Sequence, residues 1–190
     1  MLTEEKIKTN ASKYFEAGEK YGFMTEDLMN FLGVDIMAAP ATTKLDNYNA
    51  YKGGLIAHML RTAKYAVKLN GILPDDMQVT QESLVKVSLL FQIGKTFMFT
   101  PNPSKWHRDN QGKMYEFNDM VSLKTGERSV YYATKFGVSL TEDEFQAILN
   151  YDKLDTDLQA KFHTETLGCL LRQASDLAIL ESKKKQPANV

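Results

Sequence analysis

The sequence predicts an all-α chain with one inserted β-hairpin or long loop at about 97–125, and three observations lead there. Apolar residues recur at three-and-four spacing through most of the 190 residues. Glycines, prolines and short polar clusters cut that pattern at intervals typical of helices. The longest departure from it is the stretch 97–125, with Pro101, Pro103, Gly112 and a hydrophilic middle, SKWHRDNQGK. At 43% hydrophobic residues the chain can bury one good core, so a single domain over 1–190 is expected.

Residues 4–20 place Ile7, Ala11, Tyr14, Phe15 and Gly18 on one helical face, behind a Thr3 hydroxyl able to cap the first free amides. Gly22 ends this helix. Thr25-Glu26-Asp27 opens a second, short one holding Leu28, Met29, Phe31 and Leu32 until Gly33, so 1–36 form an N-terminal helical segment. The stretch 37–50, MAAPATTKLDNYNA, reads as an extended or turning connection.

The segment 51–70, YKGGLIAHMLRTAKYAVKLN, is the centre of the chain. Leu55, His58, Met59, Thr62, Tyr65, Ala66 and Leu69 fall on one face of a buried helix, with Arg61, Lys64 and Lys68 on the other. Gly53-Gly54 gives the backbone freedom for a tight turn and leaves the space above His58 unobstructed. His58 reads either as a hydrogen-bonded core histidine or as the wall of a site.

Thr80 starts a further helix over about 81–94, apolar nearly all round. In the insertion, Trp106-His107-Arg108 is expected to face Tyr115-Glu116-Phe117 across an Asn110-Gln111-Gly112 turn. Its aromatics form a contact surface or fold back on the core. Residues 127–136 make a helix with Val130, Tyr131 and Ala133 inward. Thr141 and Glu144 then form a capping box leading into Phe145, Ile148 and Leu149. A final helix over about 158–182 carries Phe162, Leu167, Leu170, Leu171, Ala174, Leu177, Ala178 and Leu180, and 183–190 is a polar, solvated tail.

Composition excludes several classes. The balance of 23 basic against 24 acidic residues gives a formal charge of -1, so no global field draws the chain to nucleic acid or an anionic membrane. The basic-aromatic cluster Lys105, Trp106, His107, Arg108 and Lys113 is the one local exception. The lone Cys169 sits in an apolar LGCLL setting, which fits a reducing compartment. No window approaches the roughly 20 apolar residues needed to span a bilayer, and the acidic Glu4 and Glu5 do not suit a signal peptide, so a cytoplasmic site of synthesis is expected. There is no P-loop, Cys-x-x-Cys pair or nucleophile elbow.

Five motifs in order, APATTK at 39–44, AYKGGLIAH at 50–58, LLFQIGK at 89–95, GERSVYYATKFGVSLTEDEFQAIL at 126–149 and the stretch 173–178, resemble the HD-domain metal-dependent phosphohydrolases. The likeness is to the small HD proteins of bacteria and their phages, and it spans roughly 37–182. It implies an HD-like helical bundle in which His and Asp side chains hold divalent metals that activate a water against a phosphate ester.

The ligand positions are largely lost. His58 matches the first family histidine, but the defining His-Asp pair falls on Phe91-Gln92. Further family histidines fall on Tyr48, Thr125 and Tyr151, and the closing aspartate on Ser175; Asp176 is one position later, about 100° round a helix. Tyr48, Phe91 and Tyr151 are expected to fill the former cavity with rings. Lys95 is retained: in the family it can face a substrate phosphate, and otherwise it completes a helix dipole. No metal or other cofactor is expected, since a doubly charged ion beside one imidazole loses more hydration than it regains.

The expected function is therefore a catalytically inactive HD-fold protein with a structural or interaction role, acting through protein partners or self-assembly, for instance within a phage virion. Trp106, His107, Arg108, Tyr115 and Phe117 are the candidate surface. The alternative is a residual phosphohydrolase or nucleotide-binding module at His58, Lys95 and Asp176. The sequence names no small-molecule ligand.

Overall fold

Threonine hydroxyls set where the helices begin. In the computed structural model, which describes residues 2–118, 122–152 and 165–185, Thr3, Thr25, Thr80 and Thr141 each accept a backbone N–H three residues on. They open α1 (Glu4–Lys20), α2 (Glu26–Leu32), α5 (Gln81–Leu90) and α8 (Glu142–Asn150). Each such cap contributes about 1 kcal/mol. Glu144 closes the capping box on Thr141 and also receives Lys86 Nζ at 3.0 Å, which ties α8 to α5 inside the protein.

One turn, α3 (Asp35–Ala38), lies partly in the stretch expected to be a connection. α4 (Gly54–Asn70) follows, and packs most extensively on the last helix, α9 (Thr166–Lys185), and next on α5. Arg61 and Tyr65 of α4 both reach Glu181 of α9. α5 stops at Leu90, short of the expected Gly94, and a 3-10 turn over Ile93–Lys95 replaces its last turn. The space there is too small for anything but glycine at 94: an added Cβ would meet the Thr125 carbonyl of α7 (Thr125–Lys135) at 2.7 Å. Ser129 of α7 stitches this turn by accepting from Gly94 N and donating to Phe91 O.

A single apolar cluster runs through all of these helices except α9's far end, with Leu28, Leu32, Ile36, Leu55, Met59, Leu84, Phe91, Ile148 and Leu171 all fully enclosed. Each contributes about 1.5–3 kcal/mol by leaving water. Cys169 is half-buried.

The inserted hairpin exists but pairs differently from expectation. β1 (Phe99–Pro101) runs antiparallel to β2 (Tyr115–Phe117), with Phe99 opposite Phe117. Trp106-His107-Arg108 belongs instead to a short helix, α6 (Lys105–Gln111), between the strands. Ser104 caps its start, accepting from His107 N, and Gly112 in the left-handed region (φ 59°) ends it. Gly112 is therefore a helix terminator here, not a hairpin turn. On its outer edge β2 is joined by the connection, Tyr115 N donating to Thr43 O.

α9 runs on through Lys183-Lys184-Lys185, which were expected in the tail. The predicted helix start near Leu158, Phe162 and residues 186–190 lie outside the described residues. Among the described residues no helix is long and apolar enough to cross a membrane.

Candidate functional site

The site is organised by a backbone clasp ahead of α4. Asn49 takes a left-handed conformation (φ 47°) and is fully enclosed. Its carbonyl accepts from Ala41 N, its side-chain amide donates to Gly54 O, and its Oδ1 accepts from the Tyr51 hydroxyl. The clasp fixes the neighbouring Tyr48 and Ala41 over the first turns of α4.

His58 lies beneath, with no exposed surface. Its ring is 4.7 Å from that of Tyr48 and 5.8 Å from that of Phe91, and Phe91 meets Tyr151 edge-on at 4.8 Å. Ser175 Oγ lies 3.4 Å from His58 Nε2, while among the described residues Nδ1 has no partner. Burial, then the positive charges of Lys95 and Arg61, hold the imidazole well below its usual 6.5, so it is neutral at pH 7.

Lys95 is also enclosed, only 8% exposed. Its ammonium donates to Ala41 O at 3.0 Å and to the Tyr48 hydroxyl at 3.2 Å. This corrects the reading of Lys95 as a cation completing its own helix end: the carbonyl it meets is 54 residues earlier in the chain. Gln92, 1% exposed, donates to the same Tyr48 hydroxyl at 3.4 Å, and its side chain also interacts with the Tyr151 hydroxyl, though among the described residues no donor comes within close hydrogen-bond geometry of its Oε1.

Above these groups is a cavity of about 350 Å³. Tyr48, Gln92, Lys95, Thr125, Tyr151, Ser175 and Asp176 line it together; His58 and Phe91 are packed behind Tyr48 and Tyr151. The rings thus line the space without filling it, contrary to expectation. Asp176 faces the cavity, and its place at His58 is taken by Ser175. Burial raises the Asp176 carboxyl and Arg172 opposes that rise. Burial likewise pushes the Tyr151 hydroxyl far above its usual range.

Three lining residues, Asp152, Arg172 and Ile179, escaped the sequence reading. Arg172 is three residues before Ser175 on α9, so helical spacing from Ser175 would have pointed to it. Asp152 lies next to Tyr151 with no periodic signal of its own.

A divalent metal does not fit this donor set. His58 is enclosed by rings with one nitrogen on a hydroxyl, and among the described residues no three His, Cys, Asp or Glu side chains come together. Nucleophilic chemistry at Ser175 fares no better. The 3.4 Å separation is long, and a proton taken from Ser175 would put a second cation beside Lys95 in a buried site.

The insertion is separate. Trp106 is 59% and Phe117 71% exposed, on α6 and β2 respectively, and Tyr115 is half-buried. His107 packs edge-on to Trp106, and the Arg108 guanidinium donates to the Asn102 carbonyl, a structural use. Lys113 pairs through its backbone with Lys44.

The state of His58 yields a stability test. The unfolded chain takes up this proton as pH falls through about 6.5 while the folded chain resists it. The stability His58 lends is therefore fully present above pH 6.5 and is lost toward its depressed folded value, by at most about 1.4 kcal/mol per pH unit. Urea melts from pH 7 to pH 5 should show a shallower decline for His58→Gln than for the native chain; parallel profiles would mean that His58 protonates freely.

Comparison of the chain with protein-family models, curated proteins and solved structures finds no match in any of the three.

Proposed function

We propose that the chain is a ligand-depleted relative of the HD phosphohydrolases that works through protein contacts, as a structural or regulatory component of a larger assembly such as a phage virion. The observation that carries this reading is the row of rings Tyr48, Phe91 and Tyr151 around His58: on the alignment that the resemblance implies, these three stand at positions where a metal enzyme of that family has nitrogen or oxygen donors, and only His58 is kept. The exposed Trp106 and Phe117 supply anchors of the kind that dominate protein interfaces.

The test joins metal analysis to assembly state. Native protein should carry no stoichiometric Mn, Fe, Zn or Ni and leave nucleotides and a generic phosphoester intact. It should also sediment as an oligomer or with a co-purifying partner, through an interface of roughly 1,000 Å² or more that weakens in Trp106→Ala/Phe117→Ala. A monomer without a partner counts against the surface role.

The second reading is a residual phosphohydrolase or nucleotide-binding module, favoured by the shared cavity of Lys95 and Asp176. Turnover abolished by His58→Ala would establish it instead.

A further inference from the structure

We infer that the partner docks through an extended, acidic segment laid across the outer face of the small sheet, its carboxylates on Lys44 and Lys113 and an apolar side chain on the paired rings of Phe99 and Phe117. The inference rests on the surface role proposed above and adds the partner's chemistry to it.

Alternation along the strands defines the face. Met98 and Asn102, at either end of β1, are buried, so the even-numbered side turns inward. Phe99 and Pro101 turn outward, and the register sets Phe117 and Tyr115 opposite them on the same side. Phe99 and Phe117 meet edge-on at 5.2 Å, yet Phe117 keeps 71% of its surface exposed. Pro101 blunts the free edge of β1, having no N–H to pair with an added strand. A partner is therefore held on the face of the sheet and not at its edge.

Charge names the occupant. An antiparallel bridge sets Lys44 directly opposite Lys113, just before β2 begins. The Cβ atoms of such a pair are about 4.5–5.5 Å apart, and like charges there repel. Among the described residues neither ammonium has a hydrogen-bond or ion-pair partner, the nearby Asp46 included. Glu116 turns inward by the alternation that puts Tyr115 and Phe117 outside, and neither β1 nor the connection at 42–44 carries an acid. A carboxylate set against both lysines offsets their repulsion, and the two rings take an apolar side chain beside it. At most about 13 Å of chain separates Lys113 from Phe117, the reach of four extended residues, so the acid and the apolar residue of the partner stand four positions apart. Nucleic acid fits less well. Two free ammonium groups are few beside the roughly six to ten phosphate contacts that make such binding strong, and a formal charge of -1 adds no steering field.

The experiment is a fluorescence-anisotropy titration of the full chain against a labelled synthetic peptide that carries Asp-Asp and, four residues on, Phe in a Gly-Ser background. This peptide should bind saturably, about ten-fold tighter than its Lys-Lys counterpart and tighter than versions with the Phe moved or replaced by Ser. Lys44→Glu/Lys113→Glu keeps two like charges opposed, so the melting temperature should hold while the preference turns to the Lys-Lys peptide. Lys44→Glu alone forms a cross-strand ion pair with Lys113; it should raise the melting temperature and abolish the acidic preference, which separates docking from stability. Absence of an acidic preference in the native chain overturns the inference, as does a preference that survives the double reversal. Tighter binding of oligo(dT), or of phosphatidylserine vesicles, than of the acidic peptide overturns it in favour of nucleic acid or membrane. Assembly judges the underlying reading separately. An oligomer or complex weakened by Trp106→Ala/Phe117→Ala but untouched by the double reversal leaves the surface role standing and removes the acidic partner.

Discussion

Gly54→Ala is expected to destabilise the protein by about 3 kcal/mol, the upper end of what overpacking costs, and to loosen the whole Lys95 pocket with it. A Cβ at this position would fall 2.0 Å from the Asn49 carbonyl oxygen and 3.0 Å from its carbon, with no flexible side-chain tip to give way. The Asn49 backbone cannot retreat easily. Its left-handed conformation is held by three hydrogen bonds, one of them to Gly54 itself, another to Ala41 N. Moving it displaces Tyr48 and Ala41, which supply both partners of the Lys95 ammonium. Urea melts measure the loss, and Gly71→Ala is the control. Gly71 has an ordinary helical φ of -70° and nothing closer than 3.6 Å to an added Cβ, so that substitution should be neutral or stabilise by a few tenths of a kcal/mol. A loss below about 1 kcal/mol in Gly54→Ala would mean that the clasp yields and does not organise the site.

What could be read in advance divides along the range of the interactions. Thr3, Thr25, Thr80 and Thr141 announce helices correctly because a cap is a contact three residues long. The α6 segment misleads for a related reason: Gly112 can serve a hairpin turn or a left-handed helix end, and the aromatic, strand-favouring Trp106 tilts the reading toward the turn. Ser104, whose hydroxyl caps His107 N, was the overlooked local signal. The aromatic row around His58 was legible in part, since Tyr48, Phe91 and Tyr151 were expected to gather beside it and do. The burial of Lys95 was not, since nothing near it in sequence shows that the carbonyl of Ala41 will meet its ammonium. Nor was the space left over Tyr48 and Tyr151, because residue volumes say how much is packed and not where the gap falls.

The second large effect is expected at Phe91, where truncation to Ala should remove about 3–5 kcal/mol and truncation to Leu markedly less. The ring is fully enclosed, and it separates His58 from Tyr151, with centroids 5.8 Å and 4.8 Å away. Ala would open a void behind the existing cavity, stripping contacts from both neighbours, and water entering there would meet the unpartnered Nδ1 of a neutral His58. Hydration of that nitrogen relieves part of the burial that keeps the imidazole from protonating, so the same variant should flatten the acid-side loss of stability assigned to His58. The two readouts must move together if Phe91 is what seals the site. A large stability loss with an unchanged pH profile would show a ring that packs the core without shielding His58. A small loss would mean that the position is loosely packed and that Phe91 does not seal His58.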